Sequence, residues 1–294
     1  MDAQTSQIIF AFHLHFFSLT PNFHSSKLSP VMTPEEFLSI LDNPNLISGI
    51  HNYCDRWCER CSMTSRCSVF LTMKAQDEED PLTEERGDEQ IWKKVRDSFQ
   101  LTFQLIESHA KKNGIKFEMS EEEADSFQAE RQSARKSVEQ KPAIILAHQY
   151  IDFGKKWLDS SQTILQEKEA ELNQAHQLGL PSREHEASDI KDCLDVIAYY
   201  LFQICVKMMR AYSGRQKDDK WFEENDFPKD SDGSAKVALI GIDNSMNAWS
   251  RMLFHFQEED KSILEVLAVL QKLLSLIEED FPAARGFVRP GFDD

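Results

Sequence analysis

This sequence is poor in glycine and in positive charge. Only 10 of its 294 residues are glycine, and none falls in a GxGxxG or GxxxxGK[ST] pattern. That removes the phosphate-cradling loops of dinucleotide-binding and P-loop folds. The 33 basic residues face 50 acidic ones, a net charge of −17. Such a surface repels phosphate backbones and anionic headgroups, so neither general nucleic-acid binding nor a membrane-surface role is expected. No apolar run is long enough to span a bilayer. GxSxG, HExxH and kinase signatures are missing, as is the Glu-x-x-His pair that carboxylate-bridged diiron bundles need. The Asp230-Ser231-Asp232-Gly233 run has Pro228 before it and Leu239 at the closing acid position, so it is not a calcium loop. What remains is a chain with 41% hydrophobic residues, enough for a sizeable core in one large or two small domains.

Residues 1–31 contain an apolar stretch, Ile8 to Phe17, broken by His13 and His15 and preceded by no basic residue. It reads as neither a membrane span nor an export signal. A capping box then forms from Thr33 and Glu36, with Pro34 at the first helical position. The fold is expected to begin there, with Met32 as the native start or residues 1–31 as a disordered extension.

From Thr33 onward the apolar spacing is helical, and no run of alternating strands with hairpin turns occurs. The expected organisation is a cysteine-rich segment over 32–76, an acidic linker over 77–90, a helical bundle over 91–280 and an irregular tail over 281–294. Helices are predicted over 34–42, from Ile91 through Phe99, Phe103 and Ile106 to a stop at Asn113-Gly114, and from Ser120 to Glu139. Further helices are predicted over 143–178, 188–212, 235–257 and 261–279. The fold class is therefore all-α, a multi-helix bundle with an N-terminal four-cysteine metal-binding segment.

Four of the six cysteines, Cys54, Cys58, Cys61 and Cys67, lie within fourteen residues. If 54–61 is helical, the first three stand at i, i+4 and i+7 on one face, and a turn after Met63 brings Cys67 round to them. Thiolates so close repel unless a cation, a disulfide or protonation relieves them. A cytosolic, reducing location without an export signal disfavours disulfides. Only Cys58 and Cys61 have the spacing of a zinc knuckle, whereas a cubane cluster tolerates a tight run plus one more cysteine. A [4Fe-4S] cluster is the first expectation and structural zinc the alternative. Arg56, Arg60 and Arg66 interleave with the cysteines and suit a negatively charged cluster. Tyr53 and Trp57 can shield it from water, and His51 is a substitute ligand.

Two resemblances accompany this pattern. The run Cys58-x2-Cys61-x5-Cys67 resembles the iron-sulfur staple of RecB-type nucleases, where three close cysteines join a distant fourth. This likeness implies the cluster type, with Cys54 in the fourth place. No strand-borne Asp followed by ExK accompanies it, since Glu259-Asp260-Lys261 sits at a predicted helix start, so nuclease activity is not implied. The string from Cys54 to Cys61, CDRWCERC, is also similar to a signature of uncharacterised bacterial proteins, which implies a bacterial source and no particular activity. Cys54-x3-Cys58-x2-Cys61 has the letters of the radical S-adenosylmethionine motif too. That family implies a βα barrel with a glycine-rich cofactor loop, which this chain lacks.

Other chemistry centres on His148, with Asp152 one helical turn on, and on Asp195 and Asp243 beside apolar stripes. These could line a polar pocket in the bundle, although buried histidines and edge aspartates are more often structural. Cys193 and Cys205 lie on an apolar helix face as small core residues. The sequence thus points to a metal-binding cytoplasmic protein with a [4Fe-4S] cluster for structural or electron-transfer use and a protein partner. The alternatives are a zinc-stapled interaction module or an enzyme with its site inside the bundle.

Overall fold

The computed structural model describes residues 32–79, 88–114, 120–179, 182–217, 220, 224 and 228–293. Residues 1–31 and the centre of the acidic stretch lie outside them. Among the described residues there are nine α-helices and no strand, so the chain is all-α. None of these helices is long and apolar enough to cross a membrane.

The chain folds as two compact units. One combines the described residues up to Glu130 with the residues from Arg289 onward. It holds α1 (Pro34–Leu41), α2 (Ser68–Glu79), α3 (Asp88–Asn113) and the first half of α4 (Glu121–Glu139). The capping boxes form as the sequence requires. Glu36 N donates to Thr33 Oγ1 at 3.2 Å while Thr33 N donates to Glu36 Oε2 at 2.7 Å. Ser120 and Glu123 repeat the exchange at the start of α4. Gly114, at φ 66°, ends α3 in the left-handed conformation that only glycine adopts without strain. Three residues of the expected α3 stripe do not enter a core: Phe99, Phe103 and Ile106 are 60%, 68% and 44% exposed.

The other unit spans Arg131–Val288. It contains α5 (Pro142–Ser160), α6 (Gln162–Gln177), α7 (Ser182–Lys217), α8 (Asp230–His255) and α9 (Asp260–Asp280). Its core is built on Ile144, Tyr150, Trp157, Ile197, Leu201, Leu239 and Trp249, all at most 2% exposed. The longest packing is α7 along α8. Ser234, Ala238, Gly241 and Ser245 form a buried line of small residues on α8. They let the helix axes approach: a Cβ on Gly241 would lie 3.0 Å from both Ile204 and Tyr200. Trp157 meets Trp249 edge to face at 5.1 Å, and Trp249 Nε1 donates to the Tyr150 hydroxyl at 3.4 Å.

Several boundaries differ from the sequence expectation. The predicted 143–178 helix is two helices, broken at Ser161, whose N–H closes α5 on Trp157 O and whose carbonyl opens α6 by accepting from Leu165 N. Helix α7 extends beyond 188–212 at both ends. Helix α8 starts at Asp230 rather than 235, because Asp230 and Asp232 put negative charge on its first turn and Arg210 pairs with Asp230 at 2.6 Å. The tail over 281–294 is not wholly irregular, since Ala284–Gly286 forms a 3-10 turn. The compact units divide inside α4 rather than at 77–90.

Candidate metal centre

The segment between α1 and α2 carries the four cysteines, and it is not an α-helix. Residues 54–61 run through an irregular loop with a 3-10 turn at Cys58–Arg60, so the i, i+4, i+7 face predicted from sequence does not exist. Local bonds explain the departure. Gly49, at φ 71°, starts a tight turn at Ile50–Asn52. Asp55 Oδ1 accepts from Trp57 N at 3.1 Å, a side-chain bond that competes with helical pairing. Arg56 has φ 69°, outside the helical region.

Two short turns place the cysteines along this loop instead. Cys58 and Cys61 stand at the two ends of one 3-10 turn, closed by Cys61 N donating to Cys58 O at 3.2 Å. The Met63 backbone N–H then donates to Cys61 Sγ at 3.4 Å. A second 3-10 turn, Thr64–Arg66, leads to Cys67. Cys54 follows the Ile50–Asn52 turn, its Sγ donating to His51 O at 3.5 Å. None of the four cysteines is in a disulfide, and all are half-buried. Burial pushes the Cys58 thiol up, and charge on Cys54, Cys67, Glu59 and Cys61 pushes it further. As placed, no three His, Cys, Asp or Glu side chains among the described residues converge to hold a metal ion.

The surrounding cations are partly anchored. Arg66 Nε donates to Asn45 O at 3.2 Å, and Arg60 stacks over Trp57 at 4.0 Å. Arg56, Arg60 and Arg66 are all exposed.

The bundle candidates are not brought into one pocket. His148 and Asp152 lie on the exposed side of α5. Asp195 pairs with Lys191 at 2.8 Å, and Asp243 pairs with Arg285 at 2.5 Å. His148 Nε2 does approach Cys205 Sγ at 3.9 Å, but burial pushes the Cys205 thiol up. That is a protonated thiol beside an imidazole and not an activated nucleophile.

Sequence reasoning missed one cluster. Lys168 pairs with Glu186 at 2.6 Å, His255 Nε2 lies 2.7 Å from Asp189, and Arg251 reaches Asp189 and, at 3.0 Å, Asp192. This network joins α6, α7 and α8. Hydrogen bonds from Arg251 and His255 hold the Asp189 carboxyl below the usual carboxylate range. The signal was present as Glu186-x2-Asp189-x2-Asp192 facing Arg251-x3-His255, spacings that place each set on one helix face. Nearby, burial pushes the Cys193 thiol up to about 11.

No protein-family model, curated protein or solved structure matches this chain.

Proposed function

We propose that the chain is a metal-binding helical protein whose Cys54–Cys67 loop holds a [4Fe-4S] cluster through Cys54, Cys58, Cys61 and Cys67. The carrying observation is the Cys58–Cys61 turn, with the Met63 N–H aimed at Cys61 Sγ at 3.4 Å. A backbone donor on sulfur stabilises a thiolate, the form in which cysteine ligates metal.

The cysteine spacing favours the larger centre over zinc, since only Cys58 and Cys61 have the spacing of a zinc knuckle, whereas a cubane cluster tolerates a tight run plus one further cysteine. A centre with four cysteine ligands carries net negative charge, and Arg56, Arg60 and Arg66 lie on this same loop. When bound, the cluster supplies one-electron redox capacity or a covalent staple. The protein's own part is to supply the ligands, direct the Met63 N–H and cover the loop with Tyr53 and Trp57. With every iron ligated by cysteine, the centre serves structure or electron transfer to a protein partner, not substrate binding.

The Cys58–Cys61 turn favours zinc as the second reading, since the same CxxC spacing makes a zinc knuckle. Metal and sulfide content of anaerobically purified Cys58→Ser and Cys193→Ser separates these roles. Cys58→Ser is expected to lose the centre and Cys193→Ser to keep it; equal content in both would refute the ligand assignment.

A further inference from the structure

The C-terminal residues fold back into the unit that carries the four cysteines. Arg289-Pro290-Gly291-Phe292 is a tight turn, with Phe292 N donating to Arg289 O at 3.1 Å and Gly291 at φ 76°. Proline followed by a left-handed glycine is the sequence this turn requires. Asp293 locks it from outside by accepting from Arg289 N and Nε, each at 3.0 Å, and from Arg289 Nη2 at 2.9 Å. That ion pair is largely buried, at 17% and 21% side-chain exposure.

Gly291 is planted on the base of the cysteine loop. A Cβ there would lie 2.6 Å from Ile47 Cδ1 and 3.0 Å from Ile50 Cδ1. Ile50 is 1% exposed and opens the turn that leads to Cys54. Ile47 N donates to Arg66 O at 3.0 Å, which ties the same base to the backbone next to Cys67. The tail therefore bears directly on the run that leads to Cys54, and on the run next to Cys67 through the Ile47–Arg66 bond.

We infer that the turn Arg289–Asp293 is a positioning strap for the four-cysteine site, with Gly291 seated on Ile47 and Ile50 to fix the spacing of Cys54 and Cys67. This rests on the metal-binding role proposed above. Gly291 acts through the two isoleucines and touches no ligand itself.

The test uses the full chain with cobalt(II) as a thiolate-sensitive probe, and hydrogen exchange over residues 47–67 without metal. Gly291→Ala is expected to speed exchange there and to weaken cobalt(II) binding about tenfold, through the clash with the isoleucines together with the strain of a side chain at positive φ. Ile47→Val removes the Cδ1 atom that the new methyl would strike. The Gly291→Ala/Ile47→Val double variant should recover part of the protection, the binding and the thiolate-to-cobalt absorption, a coupling that general destabilisation does not produce. Unchanged exchange in Gly291→Ala, or no recovery in the double variant, overturns the strap. If exchange rises but the unaltered protein takes up no cobalt(II), the metal-binding role fails, and the strap is a structural closure rather than a positioning device.

Discussion

Replacing Gly154 with alanine tests the packing of the bundle. An alanine Cβ at this position of α5 would sit 2.5 Å from Leu201 Cδ1, closer than real contacts allow. Leu201 is 1% exposed, and Trp249 flanks the same space at 3.8 Å. Leu201 must leave its rotamer, a clash of about 1–3 kcal/mol. Alanine returns about 1 kcal/mol of helix propensity. The net is a loss of about 1 kcal/mol, or a melting shift of roughly 2–4 °C for a unit of this size. Gly241→Ala is the internal comparison. Its Cβ would meet Ile204 and Tyr200 at 3.0 Å, so small shifts suffice and the propensity gain offsets most of the cost. Urea unfolding of the three proteins should rank the parent first or level with Gly241→Ala, and Gly154→Ala last, at a constant m value. A Gly154→Ala protein as stable as the parent would refute the close contact between α5 and α7.

Three other outcomes follow from the geometry. Asp189 titrates below its unfolded value, so its stabilisation is full above about pH 4 and is lost as pH falls through the folded value. Thermal melts of Asp189→Asn should fall below the parent by about 1 kcal/mol at pH 5–8, discounted for partial exposure, with the gap closing below pH 4. Trp249 is fully buried against Trp157 and Tyr150. Trp249→Ala should cost about 3–5 kcal/mol in denaturant unfolding, and a cost under 1 kcal/mol would show that the pair is not packed as described. Cys193 is buried, with a thiol near 11. At pH 8 only about one in a thousand Cys193 side chains is a thiolate, so iodoacetamide should spare it in the folded protein and label it only after unfolding.

Much of the fold was legible because its signals are local. The Thr33–Glu36 and Ser120–Glu123 boxes and Gly114 act within one helical turn, and each forms as its spacing dictates. The break at Ser161 was not legible, since Asp159-Ser160-Ser161-Gln162 contains neither glycine nor proline and the chain redirects there through tertiary packing. The α3 stripe shows the opposite failure: an amphipathic period marks a face for burial without guaranteeing that the chain covers it. At the candidate site, the clustering of four cysteines was legible and its geometry was not. Helical spacing was the natural inference for Cys54, Cys58 and Cys61, but the Asp55 side-chain bond and the left-handed Arg56 divert the backbone. The ion network around Asp189 escaped notice because its halves lie about sixty residues apart, at Asp189–Arg251, and only the fold brings them together.

Iron, zinc and acid-labile sulfide, measured together with the absorption spectrum of the anaerobically purified full chain, test the central claim most directly. The four-cysteine centre predicts about four iron and four sulfide per chain, with a broad band near 400 nm that bleaches on dithionite and is absent from Cys58→Ser. One zinc per chain with no sulfide, or a colourless protein holding neither metal, would contradict it.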